Sequence, residues 1–243
     1  MVELDDGNGV RLPDEQAAAQ KSNFLSRLMH IHTAPERAFR AVIAQPGTWW
    51  QPVLLLALLG AGIIWFTMDD LIMPAMREGM LERDVAEDQI DGALPILRLV
   101  TWASLLLVPL RMVVIALVGH LSATLVLGGT GRYVMALAVI SYAHLVGVVE
   151  TIVRVPLMLL KQSIEVHLGP VLLLPVEMQE TFVYRALAQF DVFAIWKVLL
   201  MGLGLGLAYG LVPRRTIILM VALWLVWVLA TSALGGLAGG MGS

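Results

Sequence analysis

Four side chains in two neighbouring apolar stretches of this sequence are of types that hold charge or move protons: Arg111, His144, Glu150 and Arg154. Ionisable groups in such surroundings are costly, so each needs a partner or a task. In the earlier stretch Ser104, Arg111 and Ser122 share a helical face with Val118. In the later one Ser141, His144, Gly147, Thr151 and Arg154 lie on a broad face, with Glu150 at its edge. On adjacent helices, Arg111, His144, Glu150 and Arg154 would make a polar track able to carry a proton, an anion or a lipid headgroup. A second reading needs no transport. Glu150 and Arg154 stand at i, i+4 with the acid first, the better order for a helix ion pair, and Arg111 can bond backbone carbonyls. Lys197 can snorkel to the interface, and His120 reads as an interhelical hydrogen bonder.

Hydrolytic chemistry finds little to work with. The chain has no Cys, no His-Glu-x-x-His and no Gly-x-Ser-x-Gly, and His30-x-His32 offers two ligands at most. Metal sites need several convergent ligands. The Glu150-x-x-x-Arg154 spacing overlaps the Glu-Glu-x-x-x-Arg signature of CAAX-type intramembrane proteases. However, Val149 precedes Glu150, and no His follows a Phe at the spacing that signature requires. The expectation is a protein that is not an enzyme and has no cofactor or metal, with an intramembrane hydrolase as the remote alternative.

The elements that must position these residues follow from composition. Of 243 residues 58% are hydrophobic and 14% charged, against about 25% charged in soluble domains; mean hydropathy is +0.81. A net charge of −3 leaves no basic field for nucleic acid. The composition fits an all-α polytopic membrane bundle. Five apolar segments, about 50–68, 99–127, 133–155, 192–212 and 216–234, are each long enough to cross a hydrocarbon core of about 30 Å. They form a membrane domain over 48–238. A glycine turn, Gly128-Gly129-Thr130-Gly131-Arg132, joins the second and third, and Pro213-Arg214-Arg215 joins the fourth and fifth. These basic joints, with Arg37 and Arg40 upstream, place the N-terminus inside and the C-terminus outside by the positive-inside rule. The first outer loop is acidic, and its 77–92 stretch has helical spacing. The second, 162–189, reads as re-entrant or surface-lying.

Residues 1–22 read as a disordered polar tail and 239–243 as a flexible one. Residues 23–47 read as cytosolic amphipathic helices lying in the headgroup region. There Thr33 and Glu36 suggest a capping box, with Pro35 in the first turn and an apolar stripe at Phe39, Val42 and Ile43. Pro109 is expected to kink the second span. Gly202, Gly206 and Gly210 form a glycine zipper for close helix packing. Asp191 can cap the fourth helix. Trp49 and Trp50 mark the inner interface and Trp65, Trp102 and Trp196 the outer, while Trp224 and Trp227 are expected to pack against neighbours.

Together, the Pro35-Glu-Arg-Ala-Phe39 segment, the glycine turn after the second span, Ala138-Val-Ile-Ser-Tyr-Ala143 and Phe190-Asp-Val-Phe-Ala-Ile-Trp196 resemble the Yip domain family (Ypt-interacting proteins). The resemblance runs roughly from Phe24 to Leu234 and is closer to the bacterial branch. It implies a five-span fold. Eukaryotic members are implicated in Rab GTPase binding and vesicle traffic, but this chain lacks their Asp-Leu-x-Gly-Pro type segment, which favours a bacterial inner-membrane protein. The resulting expectation is a non-enzymatic scaffold or adaptor in a membrane complex. Its partners would be membrane lipids and other membrane proteins or a second copy, with no nucleic acid. The alternative is a small transporter or channel component for an ion, proton or lipid.

Overall fold

The computed structural model describes residues 23–164, 166–179 and 181–240; the tail read at 1–22, and the end of the one at 239–243, lie outside them. Every regular element among the described residues is helical. Two short helices, α1 (Phe24–Thr33) and α2 (Pro35–Ala44), precede a 3-10 turn (Pro46–Trp49) and α3 (Trp50–Thr67). A π-turn (Met68–Ile72) carries α3 on into α4 (Met73–Leu81). Helix α5 (Glu87–Ala103) continues through a 3-10 turn (Ser104–Leu106) into α6 (Leu107–Leu121), which ends in a π-turn (Ser122–Val126). Then come α7 (Tyr133–Ala143), α8 (Val146–Lys161), α9 (Phe182–Ala188), α10 (Val192–Ala208) and α11 (Pro213–Gly240).

Four continuous helical stretches are long and apolar enough to span a membrane: Pro46–Leu81, Glu87–Val126, Tyr133–Lys161 and Pro213–Gly235. The fifth is broken, because α9 and α10 meet at 63°. Prolines explain two of the irregular turns. Pro109 cannot donate to the carbonyl four residues back, and that carbonyl, of Leu105, lies in the 3-10 turn. Pro74 stands in the same relation to Asp70 in the π-turn. Residues 77–92 divide between the end of α4 and the start of α5, tied by Arg77–Asp91 at 3.1 Å and Arg98–Asp69 at 2.5 Å.

The core centres on α7, whose residues from Ala136 to Ala143 are all buried. Helices α6 and α10 flank it. The apolar stripe of α2 completes this core instead of entering lipid: Phe39 and Val42 are fully buried and cluster with Val139 and Leu205. Arg37 and Arg40 remain exposed. The expected capping box does not form. Thr33 ends α1 with its hydroxyl donating to the Met29 carbonyl at 3.1 Å, and Ala34 begins α2 with no side-chain cap. Asn23 caps α1 instead, accepting from the Ser26 N–H at 2.8 Å. A buried polar knot secures the pair: Arg27 donates to Gln45, to Thr48 Oγ1 at 2.8 Å and to the Tyr142 hydroxyl at 3.4 Å.

Helices α10 and α11 form an antiparallel hairpin through glycine contacts. A Cβ at Gly202 would stand 2.5 Å from Ile217 Cα, and one at Gly206 2.8 Å from Pro213 Cα. Gly210 does not join them. It lies past the end of α10 at φ +65° with open space around it, and serves the turn. Gly204 uses the opposite face, where a Cβ would meet Val139 at 2.5 Å and Phe39 at 2.9 Å. Trp224 packs edge-on against Phe190 at 4.8 Å, whereas Trp227, expected to pack, is exposed.

Candidate functional site

A two-residue turn, His144 and Leu145, separates α7 from α8 and sets the register of the charged residues that follow. Glu150 and Arg154 then fall one helical turn apart, facing the first half of α10. Glu150 Oε1 lies 3.0 Å from Arg154 Nη2, and its Oε2 accepts from Lys197 Nζ at 2.8 Å. Arg154 Nη2 also reaches Asp191 Oδ2 at 2.9 Å, and Nη1 donates to the Val166 carbonyl at 2.6 Å. Asp191 Oδ1 meanwhile accepts from the Ala194 N–H at 2.6 Å, capping α10. Two acids and two bases, none of them more than 28% exposed, thus form one closed network across α8 and α10.

The network holds more than two helices. Through Val166, Arg154 also pins the connection that follows α8, and that connection returns tightly against the start of α10. Gly169 lies so close to the Phe190 carbonyl that no side chain fits between them. The bend between α9 and α10 is therefore fixed from both sides, by a charge at Asp191 and by a close backbone approach at Gly169. A cavity of about 250 Å³ opens between α3 and α8, lined by Leu56, Gly60, Ile63, Gly147, Glu150 and Arg154 among others.

Of the four residues read as a polar track, the structure brings Glu150 and Arg154 together and leaves Arg111 out. The face that carries Ser104, Arg111 and Val118 is turned outward and exposed. Arg111 has no hydrogen-bond or ion-pair partner among the described residues. His144 is half-buried, with Nδ1 2.8 Å from the Ile140 carbonyl, and lies within electrostatic reach of Lys197 and Arg111 without bonding to either. Lys197 does not snorkel outward but turns inward to Glu150. The sequence signal for this contact is that Asp191 and Lys197 bracket the start of α10, the part of the helix that Glu150 and Arg154 reach. His120 Nδ1 lies 2.6 Å from the Tyr209 hydroxyl, joining α6 to the end of α10. On α1, outside the spans, burial holds the His32 imidazole below its ordinary pKa, and the ring packs edge-on against Trp196 at 5.4 Å, so α1 and Trp196 lie side by side and not at the opposite interfaces expected of them. Among the described residues no three His, Asp or Glu side chains converge as metal ligands.

Fold and surface together define an all-helical, multi-pass integral membrane protein with four to five spans. The Yip1 domain family matches residues 29–234, nearly the whole chain, and the chain belongs to that family. No curated protein and no solved structure matches it.

Proposed function

We propose that this Yip1-family protein is a non-enzymatic membrane scaffold or adaptor. In this reading it sits in a bacterial inner membrane, N-terminus inside, as part of a complex with other membrane proteins or with copies of itself. One observation carries the reading: Glu150, Arg154, Asp191 and Lys197 neutralise one another. Here each charge fastens α8 to α10, so the four side chains serve the architecture. The apolar outer faces of α3, α6 and α11 are left to meet lipid and partners.

The test is purification from native membranes in mild detergent, with the mass of the particle and its co-purifying chains read by mass spectrometry. A stoichiometric partner or a homo-oligomer is expected. A lone monomer in every gentle extract overturns the reading.

A second reading, a transport component for an ion, proton or lipid, has its own support in the cavity that opens on Glu150 and Arg154. Liposome flux that is present with the wild type and absent with Glu150→Gln would establish it; flux equal to empty liposomes dismisses it.

A further inference from the structure

Helices α3 and α8 run side by side with a constant offset. Tyr142, just before α8, donates to Gln51 at 3.1 Å, and Leu56 packs on Gly147. The same offset sets Ile63 level with Arg154, and these two line one cavity. It also sets Asp70 level with Lys161, so both helices reach their charged ends together. Arg98, paired with Asp69 at 2.5 Å, brings α5 to the same level. Three helices thus mark one boundary with water. Between it and Arg154 the bundle carries a lipid type of surface, with Trp65, Phe66 and Leu160 exposed. The helix from Arg154 to Lys161 covers roughly 10 Å, less than half of a hydrocarbon core about 30 Å thick.

The chain that follows α8 turns back beneath that boundary. Gln162, at φ +50°, reverses it, and Arg154 Nη1 holds the Val166 carbonyl at 2.6 Å. That guanidinium does not reach up toward Lys161, because its Nη2 is held by Glu150, one turn deeper on α8. Gly169 is fixed against the Phe190 carbonyl at the start of α10. Val166 and Val171 are buried, while Leu172 and Leu173 face away from the protein, 60% and 86% exposed. Backbone at membrane depth must be satisfied by the protein. Pro170 and Pro175, on either side of the leucines, have no N–H to satisfy. The Gly169 and Val171 carbonyls accept from the Leu172 and Leu174 N–H groups at 3.2 and 3.0 Å.

We propose that residues 166–174 form a re-entrant loop seated inside one leaflet, where lipid acyl chains pack against Leu172 and Leu173. In the N-inside orientation this is the outer leaflet. Glu177 and Gln179, both exposed, mark the return of the chain to water. The loop roofs the Glu150–Arg154–Asp191–Lys197 network and keeps it from the aqueous phase. The proposal goes beyond the scaffold reading and does not depend on it.

The chain has no Cys, so Leu173→Cys carries a single environment-sensitive fluorophore on the full-length protein in phosphatidylcholine vesicles. Asp88→Cys, beyond Arg98 on α5, is the aqueous reference, and Leu107→Cys the lipid reference. Iodide on both sides of the bilayer reports water, and nitroxides on the lipid acyl chains report depth. The label at Leu173 should emit at shorter wavelength than at Asp88 and lose most of the iodide quenching seen there. A nitroxide near the headgroup end of the chain should quench it more than one at the chain terminus. If Leu173→Cys does not reconstitute, Leu172→Cys carries the same expectation. Iodide quenching equal to that at Asp88, without quenching by the acyl-chain nitroxides, places the loop in water and overturns the proposal. Shielding from both quenchers means that protein covers the leucines, and overturns it as well. A lone monomer in gentle extracts removes the scaffold reading and leaves the depth of Leu173 as the measure of this one.

Discussion

Arg154 and Asp191, distant in sequence, meet at 2.9 Å, and the carboxylate that receives the guanidinium also caps α10. Asp191 therefore has two separable roles. Asp191→Asn keeps an acceptor for the Ala194 N–H and loses the ion pair, while Asp191→Ala loses both. The alanine variant is expected to be less stable than the asparagine variant by about 1 kcal/mol, the usual value of an N-cap. Both should fall below the wild type. Thermal unfolding in detergent, followed by circular dichroism, checks the order.

The Glu150–Lys197 pair allows a different test. Removing one member of a partly buried pair strands the other, whereas replacing both with apolar side chains removes two desolvated charges at once. Glu150→Leu, which strands Lys197, should destabilise by about 3 kcal/mol, and Lys197→Leu by less, because Glu150 keeps Arg154. The double variant should cost less than the sum of the two, a coupling read by a double-mutant cycle. Full additivity would mean that the two side chains do not interact.

The glycines of α10 should separate by their surroundings. Gly202→Ala forces a methyl against the Ile217 backbone, and Gly204→Ala forces one against Val139 and Phe39. Overpacking of this kind costs about 1–3 kcal/mol. Gly202→Ala should also loosen the α10–α11 hairpin, where the obstacle is backbone, while Gly204→Ala should loosen the seat of α2. Gly210→Ala meets no atoms but strains a φ of +65°, a cost of about 1–2 kcal/mol. Thermal melts combined with limited proteolysis distinguish the three.

His32 carries a pH dependence whose sign follows from its burial. Its folded-state pKa is lowered, so below about 6.5, the ordinary value, the unfolded chain binds more protons than the folded one. Stability is therefore full above that pH and declines as the pH falls through the folded value. The wild type should lose more thermal stability between pH 7.5 and 5.5 than His32→Phe, which keeps a ring against Trp196. Equal losses would show that His32 does not contribute.

Orientation is checked with single cysteines in this cysteine-free chain. A cysteine at Asp88 should react in intact cells with a membrane-impermeant thiol reagent, and one at Thr130 should react only after lysis. The opposite pattern would invert the proposed topology.

The amino-acid sequence by itself determined that this chain is helical, multi-pass and without thiol chemistry, because those properties are local. A run of apolar residues must satisfy its own backbone in lipid, a proline withholds one backbone donor from the turn before it, and an i, i+4 acid–base pair meets on any helix. Glu150–Arg154 is such a pair, and the glycine spacing at Gly202 and Gly206 announced a close approach. Only the tertiary structure decided which side chains become neighbours across elements. Asp191 and Lys197 read as a cap and a snorkelling cation until α10 is laid against α8. Arg27 looks like a surface residue until α1 folds onto Tyr142. The stripe at Phe39 suits lipid as well as protein, and the core around α7 claims it because Gly204 leaves room there. Arg111 shared a helical face with Ser104 and Val118 from the start, but the rotation of α6 turned that face outward, and helical periodicity contains nothing about rotation. Helix ends and faces are set by interactions within a few residues, whereas pairing partners depend on docking angles and registers that those interactions leave free.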